Sequence, residues 1–310
     1  MIKYLWVYIK GIAMGAADVV PGVSGGTIAF ITGIYERLIQ AIKNINLKNI
    51  ELFFKGKFKE CWTNIDGMFL LCLLLGIVTS LFTLAHLMTY LLDNHPIQIW
   101  SFFFGLILAS TLFIGRDVKW NWNTALAFVF FAIAAFFITD PSNTPINSDN
   151  AYWYLFLCGA IAICAMILPG ISGSFILVLL GQYYFLLDAV KSFNIAVIFV
   201  FAAGALVGIL SFANVLSWLF KHFKMITLAA LTGFMLGSLN KIWPWKKEIF
   251  SFNEYGEMID KAQINISPMQ FETITASNNH LWEAVLLMII GFVLIFVVEY
   301  ISIKLKKKIN

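Results

Sequence analysis

The sequence predicts an all-α integral membrane protein with two inverted repeats, each containing one re-entrant helical hairpin and three transmembrane helices. Three observations predict it: the composition, two apolar segments broken by similar turns, and the distribution of Lys and Arg. Of the 310 residues 60% are hydrophobic and only 12% are charged, with a mean hydropathy of +0.84. Soluble domains are about 45–50% apolar and about 25% charged. The composition therefore indicates a membrane protein.

Six apolar segments are candidates for transmembrane helices, because crossing a bilayer core of about 30 Å takes about 20 residues. They lie at 68–92, 97–115, 124–139, 196–220, 226–243 and 282–303. The segments that start at 97, 124 and 226 are short, so we expect those helices to extend a few residues beyond these limits.

Two further apolar segments, 4–42 and 152–190, are each interrupted by Pro-Gly and a Ser/Gly cluster. The first contains "GAADVVPGVSGGTIAFITGIYERLI" at 15–39. A helix of about ten residues covers about 15 Å, roughly half of the bilayer core. The chain can therefore reach the membrane midplane, turn and come back. We expect a re-entrant hairpin in each segment, with turns formed by Pro21 and Gly22 and by Pro169 and Gly170.

The two broken segments are copies of one another. "PGVSGGTIAFITGIYERLIQAI" and "PGISGSFILVLLGQYYFLLDAV", offset by 148 residues, share nine identities in 22 positions. Further along, an offset of 128 pairs Gly76 with Gly204 and Gly105 with Gly233. The difference fits an insertion in a basic loop at 43–67. We therefore place the repeats at 1–145 and 146–310. Because residues 4–20 recur, we reject the alternative of a cleavable signal peptide.

The number of membrane crossings in each repeat and the distribution of Lys and Arg predict the orientation of the repeats. With re-entrant hairpins each repeat crosses the membrane three times, so the second copy is inverted; hairpins that crossed once would make the copies parallel. The re-entrant arrangement places 14 Lys and Arg residues in cytoplasmic segments and five in outer ones, among them Lys241 and Lys246. Cytoplasmic loops are enriched in Lys and Arg. The count thus favours inverted repeats, cytoplasmic termini and an outer loop at 244–281.

The broken segments have the chemistry of an anion site. Non-helical backbone at membrane depth is tolerated where it is buried in protein or lines a polar cavity. The free amides and positive dipole end of a helix N-terminus attract anions. A proline kink with a serine N-cap would explain one isolated copy, whereas two inverted copies favour a shared site at the midplane. The candidate anion-binding residues are Ser24, Gly25, Gly26, Thr27, Ser172, Gly173 and Ser174.

Three charged residues accompany the first hairpin. Asp18 is an intramembrane carboxylate, which indicates function by default; it could carry a coupling proton or brace the turn, and both roles stay open. Glu36 is a second candidate for proton coupling. Arg37 could contact a phosphate, although an interfacial snorkelling side chain is the common alternative.

Other kinds of site lack support in the sequence. The four His and four Cys residues are scattered without metal-ligand spacing or a CxxC pair, so we predict no metal site. The sequence also predicts no cofactor and no nucleic-acid partner. Trp residues near the ends of the spans, including Trp100 and Trp243, are typical of interfacial belts.

The stretches "MGAADVVPGVSGGTIAFITGIYERLI" and "ILPGISGSFILVLLGQYYFLLDAV" resemble the bacterial membrane family catalogued as domain of unknown function 368, which is associated with polyprenyl-phosphate transport. The resemblance extends over essentially the whole chain. It implies a non-enzymatic carrier that moves undecaprenyl phosphate from the outer to the inner leaflet of the cytoplasmic membrane, for reuse in envelope polysaccharide synthesis. The residues alone predict an anion site in an inverted-repeat membrane protein, and coupling to H⁺ through alternating access is our working hypothesis. The family supplies the anion, and membrane lipids are the other expected partners.

Two alternative functions remain. Membrane undecaprenyl-diphosphate phosphatases also use inverted re-entrant hairpins with similar turns, but they need an arginine beside the serine and paired glutamates. Here Gly25 and Gly173 follow the serines, which makes hydrolysis the weaker reading. A transporter or channel for a small soluble anion is the other alternative, and the sequence does not exclude it.

Overall fold

A computed structural model describes residues 2–19, 24–83, 85–140, 151–170, 172–252 and 258–309. Within these residues the chain is mostly helical, which confirms the helical class. The helices are α1 (Ile2–Val19), α2 (Gly25–Ile31), α3 (Tyr35–Lys43), α4 (Leu47–Phe54), α5 (Phe58–Asn64), α6 (Gly67–Thr83), α7 (Ala85–Asn94), α8 (Pro96–Gly115), α9 (Trp122–Ile138), α10 (Tyr152–Ile167), α11 (Gly173–Leu179), α12 (Tyr183–Lys191), α13 (Ile195–His222), α14 (Lys224–Ser238), α15 (Pro268–Thr275) and α16 (Leu281–Ile309).

The segments expected to be loops contain regular structure. The basic loop at 43–67 holds α4 and α5, and the outer loop at 244–281 holds α15 and a two-stranded antiparallel sheet. Its strands are β1 (Lys246–Phe252) and β2 (Met258–Asn265). Lys246 lies opposite Asn265 in the strand register. The all-α expectation therefore needs correction at this hairpin, where β1 carries several β-branched and aromatic residues.

Two of the described helices, α8 and α13, are long and apolar enough to cross a membrane. A third candidate is the pair α5 and α6, which bends by 69°. Four apolar helices are shorter: α9, α10, α14 and the part of α16 from Leu281 to Val297. The expected span at 68–92 is divided between α6 and α7. Length and composition thus support membrane spanning directly for two or three of the described helices.

The chain forms two compact units, and each unit combines parts of both repeats. Unit 1 contains residues 1–88 and 146–227, and unit 2 contains residues 89–145 and 228–310. Unit 1 therefore holds both broken segments. It also holds the bent pair α5 and α6, which follows the first segment, and the long helix α13, which follows the second. Unit 2 holds α8, α9, α16, most of α14, and the β-hairpin.

Glycines set the helix contacts within unit 1. A Cβ atom added to Gly76 of α6 would lie 2.2 Å from the carbonyl oxygen of Tyr8 of α1. In the second copy a Cβ atom added to Gly204 of α13 would lie 2.0 Å from the carbonyl oxygen of Phe156 of α10. Helices that approach this closely need small residues at the contact. The two contacts involve equivalent positions of the two repeats, with offsets of 148 and 128.

Unit 2 is organised around close helix contacts and the β-hairpin. Gly105 of α8 packs against the backbone of Met288 in α16, and Gly233 of α14 packs against that of Phe128 in α9. An apolar cluster fixes the hairpin to the helix ends, and its buried members are Ile97, Trp245, Ile266 and Ala284. The cluster places Trp245 and Ile266 next to the N-terminal ends of α8 and α16.

The second arm of each broken segment has the same structure in both copies. The expected single returning helix is two short helices in each case, α2 and α3 in the first copy and α11 and α12 in the second. Their bounds differ by 148 residues at every end. The breaks fall at Gly33 and Gly181, which both have a φ of 69°. Glycine adopts this left-handed conformation without steric cost and so ends a helix.

Candidate functional site

Ser24 connects the first turn to the second. It is the N-cap of α2, with extended backbone, and its hydroxyl oxygen accepts a hydrogen bond from the amide of Gly26 at 3.0 Å. The same hydroxyl donates to the carbonyl oxygen of Met166 at 2.8 Å. Ser24 is fully buried. One side chain therefore starts a helix in the first copy and binds the backbone of the second.

Thr27 makes the complementary connection. The amide of Gly170 donates to its hydroxyl oxygen at 2.9 Å, and Thr27 is fully buried. A Cβ atom added to Gly26 would lie 2.4 Å from the carbonyl oxygen of Ile167. The two broken segments thus meet directly inside unit 1, with hydrogen bonds in both directions. Pro21 and Gly22, the predicted turn residues, lie outside the described residues.

Asp18 is held at the start of α2. The amide of Gly25 donates to its carboxyl oxygen Oδ1 at 2.6 Å. A Cβ atom added to Gly25 would lie 2.6 Å from the other carboxyl oxygen. The carboxylate therefore occupies the place at a helix N-terminus where an external anion would bind. In this conformation Asp18 braces the turn, and a role in proton transfer stays a prediction.

The second turn has different chemistry. Gly170 has a φ of 94° directly after Pro169. Ser172 caps α11 by accepting from the amide of Phe175 at 3.2 Å, and its hydroxyl lies 3.3 Å from that of Ser174. The position equivalent to Asp18 is Met166, which contributes its backbone carbonyl. The structure thus brings Ser24, Thr27 and the second turn together, with the carboxylate on one side.

The helix breaks at Gly33 and Gly181 receive donors from the descending helices. The ammonium group of Lys10 donates to the carbonyl oxygen of Thr32 at 2.7 Å, and the hydroxyl of Tyr154 donates to that of Leu180 at 3.0 Å. Thr32 and Leu180 are equivalent positions. Sequence reasoning missed both donors. An intramembrane lysine is a recognisable signal, whereas nothing in the sequence distinguishes Tyr154 from the other aromatic residues.

Arg37 is paired within unit 1. Its Nε and Nη2 atoms donate to the two carboxyl oxygens of Asp66 at 2.6 and 3.0 Å. The guanidinium also lies over the ring of Phe69, 4.2 Å from its centroid. The two charged side chains are about one third exposed. The pair with Asp66 thus uses the Nε and Nη2 donors of Arg37.

Glu36 lies at the edge of a polar cavity between α3 and α13. Its carboxylate pairs with the ammonium group of Lys224 at 2.8 Å. The cavity has a volume of about 410 Å³ and is lined by Glu36, Ile39, Gln40, Lys43, Ser217, Phe220 and Lys221. Lys43 donates to the hydroxyl of Ser217 at 3.0 Å, which donates to Gln40 at 3.2 Å. Sequence reasoning counted Lys43 and Lys221 as cytoplasmic charges and missed the cavity.

The long apolar helices define the class: this is a membrane protein. Residues 14–259 match the family model described as VCA0040-like, undecaprenyl phosphate translocase-like. The chain therefore belongs to this family, as the two motifs predicted.

Two curated relatives are named polyprenyl-phosphate transporter. The protein from Vibrio cholerae serotype O1 is 46% identical over 300 residues, which cover 96% of this chain and 97% of the relative. The protein from Staphylococcus aureus is 30% identical over 262 residues, covering 79% of this chain and 88% of the relative. No solved structure matches the chain.

Proposed function

We propose that this protein transports a polyprenyl phosphate across the bacterial cytoplasmic membrane. The substrate is undecaprenyl phosphate, moved from the outer to the inner leaflet for reuse in envelope polysaccharide synthesis. Two relatives with this name and the family match support the substrate class. The single structural observation that carries the proposal is the pair of reciprocal hydrogen bonds between the two turns, through Ser24 and Thr27.

The phosphate binds between the turns by taking over donors that are now satisfied within the protein. The amide of Gly25 is bound to Asp18, the hydroxyl of Ser24 to Met166, and the amide of Gly170 to Thr27. Charged phosphate oxygens accept stronger hydrogen bonds than carbonyl or hydroxyl oxygens. The exchange therefore compensates for opening the contact. The proposed phosphate-binding residues are Ser24, Gly25, Gly26, Thr27, Ser172, Gly173 and Ser174.

Asp18 couples this exchange to a proton. A carboxylate and a phosphate repel one another at a shared site. Protonation of Asp18 removes that charge and weakens its hold on the amide of Gly25, so the phosphate can replace it. When the phosphate leaves, Asp18 loses the proton and binds the amide again. Glu36, at the cavity between α3 and α13, is the second candidate for the coupling proton.

The phosphate leaves towards the cytoplasm past Arg37 and the cavity beside α3. Arg37 meets the phosphate in exchange for Asp66. Lys43 and Lys221 line the cavity, where Lys224 balances the charge of Glu36. The remaining positive charge attracts an anion. The lipid tail stays in the membrane while the headgroup passes this polar face.

Transport proceeds by alternating access between inverted repeats. Both termini are cytoplasmic, as the distribution of Lys and Arg favours. In this arrangement the two inverted copies form one site, and access to it alternates between the two sides of the membrane. The repeated bounds of α2 and α3 in α11 and α12 support a common architecture for the two halves.

A liposome assay with the purified protein tests the function. Fluorescent polyprenyl phosphate, polyprenyl diphosphate and radioactive sulfate are measured in parallel. We expect movement of the monophosphate between leaflets, no release of phosphate from the diphosphate, and no sulfate uptake. Hydrolysis of the diphosphate would identify a phosphatase, and sulfate uptake without lipid movement would identify a small-anion transporter.

A further inference from the structure

Unit 2 contains a cavity of about 360 Å³ beside the start of the β-hairpin. Its apolar wall includes Phe104, Phe136 and Leu236, and Trp243, Asn240 and Asn265 also line it. The volume lies within the range of about 300–1,000 Å³ of ligand pockets. The ring of Trp243 packs against that of Phe104, with centroids 5.6 Å apart. The cavity thus has an aromatic floor and an amide rim.

Asn265 leaves a polar atom unpaired in this wall. Its side-chain nitrogen donates to the backbone and side-chain oxygens of Asn240, at 2.8 and 2.7 Å. Its side-chain oxygen is buried and accepts no hydrogen bond from the residues that the structure describes. A buried acceptor without a donor is costly. A ligand that brings a donor to this position would remove the cost.

Two partly buried lysines adjoin the amide rim. Lys246 lies opposite Asn265 in the strand register, and directly opposed residues of an antiparallel pair share one face. Its ammonium group donates to the carbonyl oxygen of Lys241 and lies over the ring of Trp100, 4.6 Å from its centroid. Lys241 follows Asn240 in the chain. Lys246 is therefore opposite one residue that lines the cavity, and Lys241 follows another in the chain.

The environment of these lysines favours an anion. Burial and the charge of Lys241 lower the pKa of Lys246 to about 7. Burial lowers the pKa of Lys241 to about 8, while the charge of Asp140 acts in the opposite direction. Lys247, the residue after Lys246, is exposed by contrast. A negative ligand would stabilise the charged forms of both lysines, as Asp140 already does for Lys241.

We infer that this cavity binds the phosphate monoester headgroup of a prenyl lipid at Lys241, Lys246 and Asn265, at a site separate from the paired turns. The inference rests on the proposed function and adds a receiving site on the side that the charge distribution assigns to the outer face. The aromatic floor takes the first prenyl units. A singly charged phosphate monoester has an O–H donor for Asn265 as well as acceptor oxygens for the lysines. Sulfate esters and phosphodiesters lack that donor.

Photolabelling in nanodiscs tests the site. The probe is a prenyl phosphate with a diazirine on its first prenyl unit, and labelled peptides are identified by mass spectrometry. We expect label in the peptides that contain Phe104 and Trp243. Unlabelled prenyl phosphate should displace it, while the prenyl alcohol, prenyl sulfate and inorganic phosphate should compete at least about tenfold less well.

Matched variants separate this site from the proposed function. Lys246→Gln should reduce the label by about tenfold or more, whereas Lys247→Gln, which removes an exposed charge from the next residue, should leave it unchanged. Asn265→Asp, nearly isosteric and negative, should also abolish the label, and it decides the matter if Lys246→Gln does not fold.

Equal labelling of Lys246→Gln and Lys247→Gln, or label confined to peptides of unit 1, would overturn this site and leave the transport function standing. If the unaltered protein showed neither labelling nor transport, the proposed function would be overturned as well.

Discussion

The hydroxyl of Ser24 donates to the carbonyl oxygen of Met166, which lies 2.8 Å away and 142 residues later in the chain. The position of Met166 is equivalent to that of Asp18 in the first copy. Asp18 therefore accepts a hydrogen bond from the first turn with its carboxylate, and Met166 accepts one from the same turn with its backbone carbonyl. The turn of the first repeat is held from both sides by matching positions.

Replacing Ser24 by alanine should weaken both folding and transport. Ser24→Ala removes the N-cap of α2 and leaves the carbonyl oxygen of Met166 without this donor. We expect a loss of about 1–2 kcal/mol in the free energy of unfolding, measured by thermal denaturation in detergent. Transport in liposomes should fall further than this loss explains. Ser192→Ala, at an exposed serine of the same unit, is the control. Unchanged binding of phosphate lipid by Ser24→Ala would leave the hydroxyl as a helix cap only.

Replacing Asp18 by asparagine should remove the pH dependence of transport. The asparagine oxygen can still accept from the amide of Gly25, so the fold should be retained, but the side chain cannot take up a proton. We expect the transport rate to vary with pH in the unaltered protein, because Asp18 can take up and lose a proton there, and to be flat in the variant. Asp188→Asn, at an exposed site, should behave like the unaltered protein. An identical pH profile for Asp18→Asn would make Asp18 a structural brace.

A methyl group at Gly25 should force Asp18 out of its position. The added Cβ would lie 2.6 Å from a carboxyl oxygen, so Gly25→Ala should cost about 1–3 kcal/mol of stability. Truncating the carboxylate in Gly25→Ala/Asp18→Ala should recover part of that loss in a double-mutant cycle. Gly115→Ala, where the nearest atom would be 3.8 Å away, is the control. Additive losses would show that Gly25 and Asp18 are not in contact.

Replacing either Arg37 or Asp66 should distinguish phosphate binding by Arg37 from its structural role in the ion pair. Each of Arg37→Gln and Asp66→Asn removes the same partly exposed ion pair, which contributes about 1 kcal/mol or less. Their stabilities should therefore differ by no more than the contact of Arg37 with the Phe69 ring, about 1 kcal/mol. Because Arg37 is proposed to meet the phosphate, Arg37→Gln should slow transport at least about fivefold, while Asp66→Asn should stay close to the unaltered rate. Equal transport by both variants would limit Arg37 to its ion pair.

Unit 2 should become more stable as the pH rises above 7. The pKa of Lys246 is lowered to about 7 in the fold, so between that pH and the ordinary value the unfolded chain binds more protons than the folded one. The free energy of unfolding then rises with pH. We expect the unfolding temperature to increase by roughly a few degrees between pH 7 and pH 9.

Lys246→Gln should reduce this increase, and Lys247→Gln should preserve it. Lys241, whose pKa is lowered to about 8, titrates in the same direction, and Asp140 opposes that change. A pH response of Lys246→Gln that equals the response of the unaltered protein would contradict the burial of this lysine.

The sequence contained enough information to select two residues through which the broken segments contact each other. The shared Pro-Gly and Ser/Gly pattern selected Ser24 and Thr27, and both contact the second copy through hydrogen bonds. The offset of 148 residues also holds for the bounds of α2 and α11. Patterns of this kind can be predicted from the sequence because Pro, Gly and Ser set the backbone conformation locally.

Features that depend on contacts between side chains distant in the sequence could not be predicted in this way. The contact of Arg37 with Asp66 joins a motif to a loop, and nothing in either segment specifies the other. The breaks at Gly33 and Gly181 were missed because an apolar run with an isolated glycine is also compatible with one continuous helix. The β-hairpin was missed because β2, with its mixed polar and apolar residues, shows little strand periodicity.

The central claim is that a lipid phosphate binds between the two turns. The most direct measurement is a cryo-electron microscopy map of the protein in nanodiscs with a prenyl phosphate, compared with a map recorded without it. We expect phosphate density between residues 22–27 and 170–175, with Asp18 displaced from the amide of Gly25. Under conditions that support transport, density confined to other surfaces, with the bonds of Ser24 and Thr27 intact, would contradict it.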